Sequence, residues 1–255
     1  MVAVFDDKRN RLFLFLAAFF VANALIAEFV GVKIFSLEKT FGLTPADLSL
    51  FGEDGLSFNL TAGVLLWPVV FVMTDVINEY YGRRGVRLLT LIAVALISYA
   101  FLMFFVAIHL SPADFWIERE TEDGTINMEL AFKYTFGQGL RIIIGSLVAF
   151  VVSQFLDAII FQRIKRITGG KMVWLRATGS TLISQFIDSF VVLFIAFYGI
   201  FEMKFILAIG IVGYMYKFIM AIVLTPIIYL GHYIIDIYLG KEQAEEMKKL
   251  SLEYD

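Results

Sequence analysis

Cysteine is absent from this 255-residue chain, which excludes a disulfide scaffold, thiolate metal sites and thiol catalysis. Histidine is nearly absent too. His109 and His232 stand far apart in sequence, and no H-E-x-x-H, P-loop or G-x-S-x-G motif accompanies them, so both read as interfacial or packed residues. No metal, cofactor or hydrolytic activity is expected; paired aspartates occur, but without an aspartyl-protease context. Charge is scarce at 18% of residues, against about 25% in a soluble domain that must cover its surface. A net charge of −3 without a basic field argues against nucleic-acid binding.

What fills the chain is apolar: 60% of residues, with 27 phenylalanines and a mean hydropathy of +0.81. A membrane span needs roughly 20 mostly apolar residues, and six runs qualify, at about 12–34, 60–80, 86–110, 139–164, 174–200 and 205–239. The last is long enough to tilt or to run past the headgroups as an amphipathic end. The first is too long for a cleavable signal peptide and lacks a small-x-small end. The expectation is an all-α integral membrane protein, one domain over 1–255, with six transmembrane helices in a bundle and a short mixed-charge helix over 241–255.

Basic residues set the orientation. Lys8, Arg9 and Arg11 precede the first run; Arg83, Arg84 and Arg87 separate the second from the third. Arg163, Lys165, Arg166, Lys171 and Arg176 surround the fourth connection, and Lys241, Lys248 and Lys249 follow the sixth run. These are fourteen of the 21 basic residues, all on one side, which places both termini in the cytoplasm. The opposite connections, 36–59 and 111–138, are long and acidic and carry Asp47, Glu53, Asp54, Asp114, Glu118, Glu120, Glu122, Asp123 and Glu129. They read as solvated loops, with a lid over an outward entrance as the alternative.

Polar residues recur inside the apolar runs, where an ionisable group costs about 2.5–3.5 kcal/mol and defaults to a functional role. Asn23 and Glu28 lie in the first run and Lys33 at its end. Trp67, Phe71, Asp75 and Glu79 recur every four residues in the second, hence along one helical stripe. Arg141, Ser146, Ser153, Gln154 and Asp157 lie in the fourth, though Arg141 does not share the face of Asp157. Ser180, Thr181, Ser184, Gln185 and Asp188 line the fifth. Lys217 in the sixth shares a face with Gly210 and Gly213, where a neighbouring helix can approach. Ser146, Ser153, Ser180 and Ser184 read as hydrogen-bonding glue between helices; Asp75, Asp157, Asp188, Arg141 and Lys217 read as pathway or binding residues. The ammonium of Lys217 is expected to pair with Asp188 or Asp75.

With these residues in place the chain resembles the queuosine-precursor transporter family, also called the vitamin uptake transporter family, from the first run to the sixth. The resemblance rests on Asn23 in VANAL, on WPVVFVMTDVINEYYG over 67–82 with Pro68 and Asp75, and on Arg141 and Ser146. It continues through SQFLDAIIFQRIK over 153–165 with Gln154 and Asp157, STLISQFIDSFVVLFIAF over 180–197 with Asp188, and GYMYKFIMAIVLTP over 213–226 with Lys217. Glu28 and Lys33 match no family position, and the acidic connections are longer than in compact members. The resemblance implies a six-helix importer in the bacterial inner membrane for 7-deazaguanine bases: 7-cyano- or 7-aminomethyl-7-deazaguanine, or queuine. It also implies a distant likeness in fold to the vitamin-binding subunits of energy-coupling-factor importers. The chain would act alone, as a homodimer, or as the substrate-capture subunit of an energy-coupled importer.

The residues suit such a base on chemical grounds. A guanine-like edge presents two adjacent N–H donors, which one carboxylate accepts side by side, and a carbonyl that a cation or amide reaches. Asp75, Asp157 and Asp188 are the candidates for the donor pair; Gln154, Gln185, Arg141 and Lys217 for the carbonyl; Trp67 or Phe71 for stacking on the ring, a contact of about 1–3 kcal/mol per base. The expected site lies between the second, fourth, fifth and sixth helices, with Asn23 contributing from the first.

Overall fold

Apolar residues at three- and four-residue spacing turn one face of the first helix inward. Along α1 (Lys8–Val30), Leu12, Leu16, Phe20, Asn23, Ala24 and Ala27 are buried, and Asp7 caps its start by accepting the Arg9 N–H. Its 23 residues span about 35 Å at 1.5 Å per residue, enough for a hydrocarbon layer of about 30 Å. In this computed structural model, residues 7–122, 124–169 and 172–253 are described. Asp123, Lys171 and the last two residues of the expected tail lie outside them.

The expected second and third runs fall within one assigned helix, α3 (Trp67–Ile108). Its 42 residues would span about 63 Å if straight, twice the hydrocarbon thickness. It is not straight. Gly82 adopts φ 67° and ψ −174°, a conformation essentially reserved for glycine. Contacts with α1 show what the break does. Trp67 and Ala27 line one cavity at the end of α1, whereas Tyr81 donates to the Arg9 carbonyl at 2.8 Å and packs on Phe13 near its beginning. Beyond Gly82 the chain returns, and Phe101 and Phe104 pack on Phe29 at the end of α1. Residues 67–81 and 83–108 therefore run in opposite directions along α1.

Next come α6 (Leu140–Ile167) and α7 (Val173–Phe197), the most closely associated helices of the molecule, then α8 (Met203–Val223) and α9 (Thr225–Leu239). The break between the last two precedes Pro226, whose ring removes an N–H and clashes with the preceding turn. The expected sixth run is thus a long helix followed by a shorter one. Close packing of α7 and α8 depends on Gly210, where a Cβ would come within 2.7 Å of the Phe190 ring; at Gly213 it would meet open space. Among the described residues, five helices are long and apolar enough to cross a membrane, those containing α1, α3, α6, α7 and α8. Their outer faces expose Phe15, Leu91, Phe105, Ile183 and Ile222, a surface suited to lipid.

The all-helical expectation needs one correction. Among the described residues, the two long acidic connections contain three two-stranded antiparallel sheets rather than loops alone. In the first connection, β1 (Ile34–Ser36) pairs with β4 (Asn59–Thr61) and encloses α2 (Leu37–Thr40), β2 (Leu48–Leu50) and β3 (Glu53–Leu56). In the second, α4 (Asp114–Ile117) precedes the β5 (Glu118–Thr121) and β6 (Gly124–Asn127) hairpin, and α5 (Met128–Phe136) leads into α6. Pairing satisfies backbone groups that an extended connection would otherwise leave to solvent. Glu38 organises the first connection: its Oε1 accepts the N–H groups of Phe58 at 2.8 Å and Ala46 at 3.3 Å, and Ser36 donates to its Oε2. Burial pushes the Glu38 carboxyl up, but these hydrogen bonds outweigh it and hold the group below the usual carboxylate range.

The other end of the bundle is closed by the tail. Helix α10 (Lys241–Glu253) buries Ala244, Met247 and Ser251 against α3 and α9. Lys165 Nζ donates to the carbonyls of Glu79 at 3.0 Å and Lys248 at 3.1 Å, and to Ser251 Oγ at 2.9 Å. Asp236 takes Lys248 at 2.7 Å and the Tyr80 hydroxyl at 2.7 Å, and Arg9 meets Glu246 at 2.7 Å on the rim.

Candidate substrate-binding site

The first half of α3 is the spine of the site. Pro68 sits in its first turn, where a missing N–H is harmless, and Trp67, Phe71 and Asp75 follow at four-residue spacing. They line a narrow pocket, about 450 Å³ with its open mouth included, together with Thr181, Gln185 and Lys217. A wider cavity of about 1620 Å³, its open mouth included, reaches from there toward the hairpin end and is walled by Glu28, Ser146, Asp188 and Gly213. Trp67 and Lys217 border both spaces. The open position at Gly213 helps keep the wider one clear.

Three ionic or polar clusters stack along the bundle. Nearest the wide cavity, Lys217 Nζ donates to Asp188 Oδ2 at 2.7 Å, Ser153 donates to Asp188 Oδ1 at 3.3 Å, and Ser146 Oγ donates to Glu28 Oε1. Deeper, Thr181 Oγ1 lies 3.5 Å from Asp75 Oδ2 and 3.4 Å from Asp157 Oδ1, and Ser184 donates to Asp157 Oδ1 at 2.9 Å. Asp75 Oδ1, Asp157 Oδ2 and Gln154 Nε2 are buried without a hydrogen-bond partner among the described residues. Deepest, Glu79 is held by Arg176 at 2.8 Å and Lys165 at 3.2 Å, all three side chains about 2–3% exposed. Unpaired charges at such depth would be costly; a carboxylate flanked by two cations is compensated.

Trp67, Phe71, Asp75, Gln185 and Lys217 therefore meet around one pocket, with Asp188 on the wall of the adjoining cavity. The other expected site residues are placed elsewhere. Asn23 is buried on α1 and donates to the Phe19 carbonyl at 2.8 Å. Arg141 is exposed and donates to the Tyr198 carbonyl at 3.1 Å, tying the hairpin-end termini of α6 and α7. Gln154 accepts from Thr74 at 2.6 Å, and Asp157 lies behind Thr181; neither lines the pocket or the wider cavity. Of the two partners weighed for Lys217, the ammonium takes Asp188.

Three features escaped the sequence reading. Lys165 and Arg176 look like connection charges because they follow or precede apolar runs, yet both are buried on Glu79. Their helical phase was the available signal: Lys165 lies eight residues after Asp157, and Arg176 four before Ser180, on the polar faces already identified. Glu28 was already marked as an ionisable residue in the first run, but its partner was not legible, since the bond to Ser146 joins helices far apart in sequence.

Comparisons with known proteins agree with this architecture. The sequence model of a family described as "Putative vitamin uptake transporter" matches residues 61–231, which include every residue bordering the deeper pocket. A protein of Bacillus subtilis (strain 168) named "Probable queuosine precursor transporter" is 34% identical over 181 residues, covering 68% of this chain and 72% of that protein. A protein of the same name from Haemophilus influenzae (strain ATCC 51907 / DSM 11121 / KW20 / Rd) is 27% identical over 224 residues, 87% of this chain and 86% of that one. No solved structure matches. The chain is a multi-pass membrane transporter, not an enzyme, and it belongs to the vitamin uptake transporter family.

Proposed function

We propose that this protein imports queuosine precursors, 7-deazaguanine bases such as 7-cyano- or 7-aminomethyl-7-deazaguanine or queuine, across a bacterial inner membrane. The observation that carries the reading is the pocket lined by Asp75, whose buried Oδ1 has no hydrogen-bond partner among the described residues, together with Trp67, Phe71, Gln185 and Lys217. A flat base with two adjacent N–H donors and a carbonyl is complementary to that set. Asp75 accepts the donors, Gln185 or Lys217 reaches the carbonyl, and the aromatic pair covers the ring. Asp188 holds Lys217 at the approach from the wide cavity.

The reversal at Gly82 supports six crossings, with residues 67–81 and 83–108 as the second and third, and α9 running past the sixth along the membrane surface. Basic residues at the tail end support cytoplasmic termini. The cavity then opens outward while α10 closes the inner side. Cysteines placed at Thr125 and Arg84 in this cysteine-free chain should label from opposite faces; labelling of both from outside refutes the arrangement.

The deciding experiment is rescue of queuosine in tRNA by this chain alone, in cells unable to make the precursor and supplied with the free base. Rescue requiring an added energy-coupling module would make the chain a substrate-capture subunit. No rescue by either route would overturn the reading.

A further inference from the structure

We propose that Asp157 is a proton site, that the coupling ion of transport is the proton, and that Asp75 and Asp157 share it through Thr181. The inference rests on the placement of the base at Asp75 argued above. Both carboxyl groups are buried, and both lie within 3.5 Å of the single Thr181 hydroxyl. That hydroxyl has one hydrogen to give. It cannot donate to both acids at once, so a proton on one carboxyl, donated to Thr181, which donates onward to the other, would let the two long contacts close into a chain of hydrogen bonds. Ser184 adds one further hydroxyl hydrogen, which its own bond to the Thr181 carbonyl competes for.

The surrounding charges lead to the same count. Lys217 on α8 is bonded to Asp188, and Lys165 on α6 and Arg176 on α7 both bind Glu79. Among the described residues no salt bridge reaches Asp75 or Asp157, and two like charges side by side in a buried site do not both ionise readily. The two acids also differ in position. Asp75 borders the pocket and its Oδ1 has no hydrogen-bond partner among the described residues; Asp157 lines neither of the two cavities and sits behind Thr181. With the proton on Asp157, Asp75 is an ionised double acceptor for the base. Proton and base are then bound together and released together on the inner side. For the return, once Asp157 has lost its proton, Lys217, which borders the same pocket as Asp75, can leave the partly exposed Asp188 for the Asp75 carboxylate, so that two adjacent buried carboxylates do not both stand uncompensated.

The test uses wild-type protein in liposomes holding a pH-sensitive dye, with labelled 7-cyano-7-deazaguanine outside. An inward gradient of the base should acidify the lumen. A proton gradient should drive accumulation that a protonophore abolishes and that replacing sodium by choline leaves intact. Asp157→Asn should bring the accumulation ratio to one and remove the protonophore effect while base-for-base exchange persists, because exchange moves no net proton. Base flux without lumenal pH change, dependence on sodium, or wild-type accumulation by Asp157→Asn would each overturn the proton site and leave the importer reading standing. If Asp157→Asn fails to insert, the wild-type dye measurement decides. No base flux in the wild type sinks the importer reading and this inference with it.

Discussion

Lys217, which borders both cavities, donates to Asp188, which borders only the wider one, at 2.7 Å. Each side chain keeps 16–20% of its exposure, so the pair is reachable from the wide cavity.

Breaking that bond from one side strands the other charge. Lys217→Met should lower stability by about 3 kcal/mol, the low end for a buried pair because this one is partly exposed, and should abolish uptake. Adding Asp188→Asn should recover part of the stability, whereas adding Asp75→Asn should not. Thermal unfolding in detergent, with uptake measured in parallel, checks this. Normal folding and transport by Lys217→Met would mean that the lysine only reaches for the aqueous cavity.

A pocket bordered by Asp75, whose Oδ1 has no hydrogen-bond partner among the described residues, should discriminate by donor count. Each buried polar group left unpaired costs about 1–3 kcal/mol. A hypoxanthine-like base without the exocyclic amine should therefore compete roughly tenfold to a hundredfold less well than a guanine-like one. Asp75→Ala should abolish binding in an inserted protein, and Asp75→Asn should be milder because an acceptor remains. Equal competition by the two base types would remove Asp75 from the recognition role.

At the tail end, buried and exposed ion pairs should differ in weight. Lys165→Met removes one of the two cations on Glu79 together with the contacts to α10, and should cost about 3–5 kcal/mol. Arg9→Ala, which removes the rim pair with Glu246, should cost no more than about 1 kcal/mol. Melting temperatures of the two purified variants give the comparison; equal losses would contradict the closure attributed to Lys165.

Glu38 gives the first connection a pH dependence of defined sign. Its carboxyl is held below the ordinary range by its hydrogen bonds, so the folded connection binds fewer protons than the unfolded one. The stabilisation is present above the ordinary glutamate pKa of about 4.3 and is lost as pH falls through the lowered value. Hydrogen exchange at the Phe58 and Ala46 amides, corrected for intrinsic rates, should be several-fold faster in Glu38→Gln at neutral pH. The difference should vanish in acid. A constant ratio across that range would show that the carboxylate charge is not what orders the segment.

Much of the architecture was legible in the chain itself. Run length against bilayer thickness picks out helices long and apolar enough to cross a membrane, although the second and third runs fall in one helix broken at Gly82, and four-residue spacing puts Trp67, Phe71, Asp75 and Glu79 on one stripe, because both depend only on the rise and pitch of a single helix. The lack of cysteine and of catalytic histidine motifs likewise needs no coordinates. Helical phase, however, states an angle about one axis and says nothing about how a neighbouring helix is turned or how deep it sits. Three aspartates therefore looked alike in sequence, and packing alone separated Asp75 in the pocket, Asp188 on the wide cavity and Asp157 behind Thr181. The same reason hid the bond between Glu28 and Ser146 and made Lys165 and Arg176 look like solvated charges. It also left Arg141 among the site candidates, although its partner is the Tyr198 carbonyl at the helix ends. Choosing partners across a bundle is a matter of distance between helices. That distance is set by tertiary contacts such as the close approach at Gly210 and the reversal at Gly82.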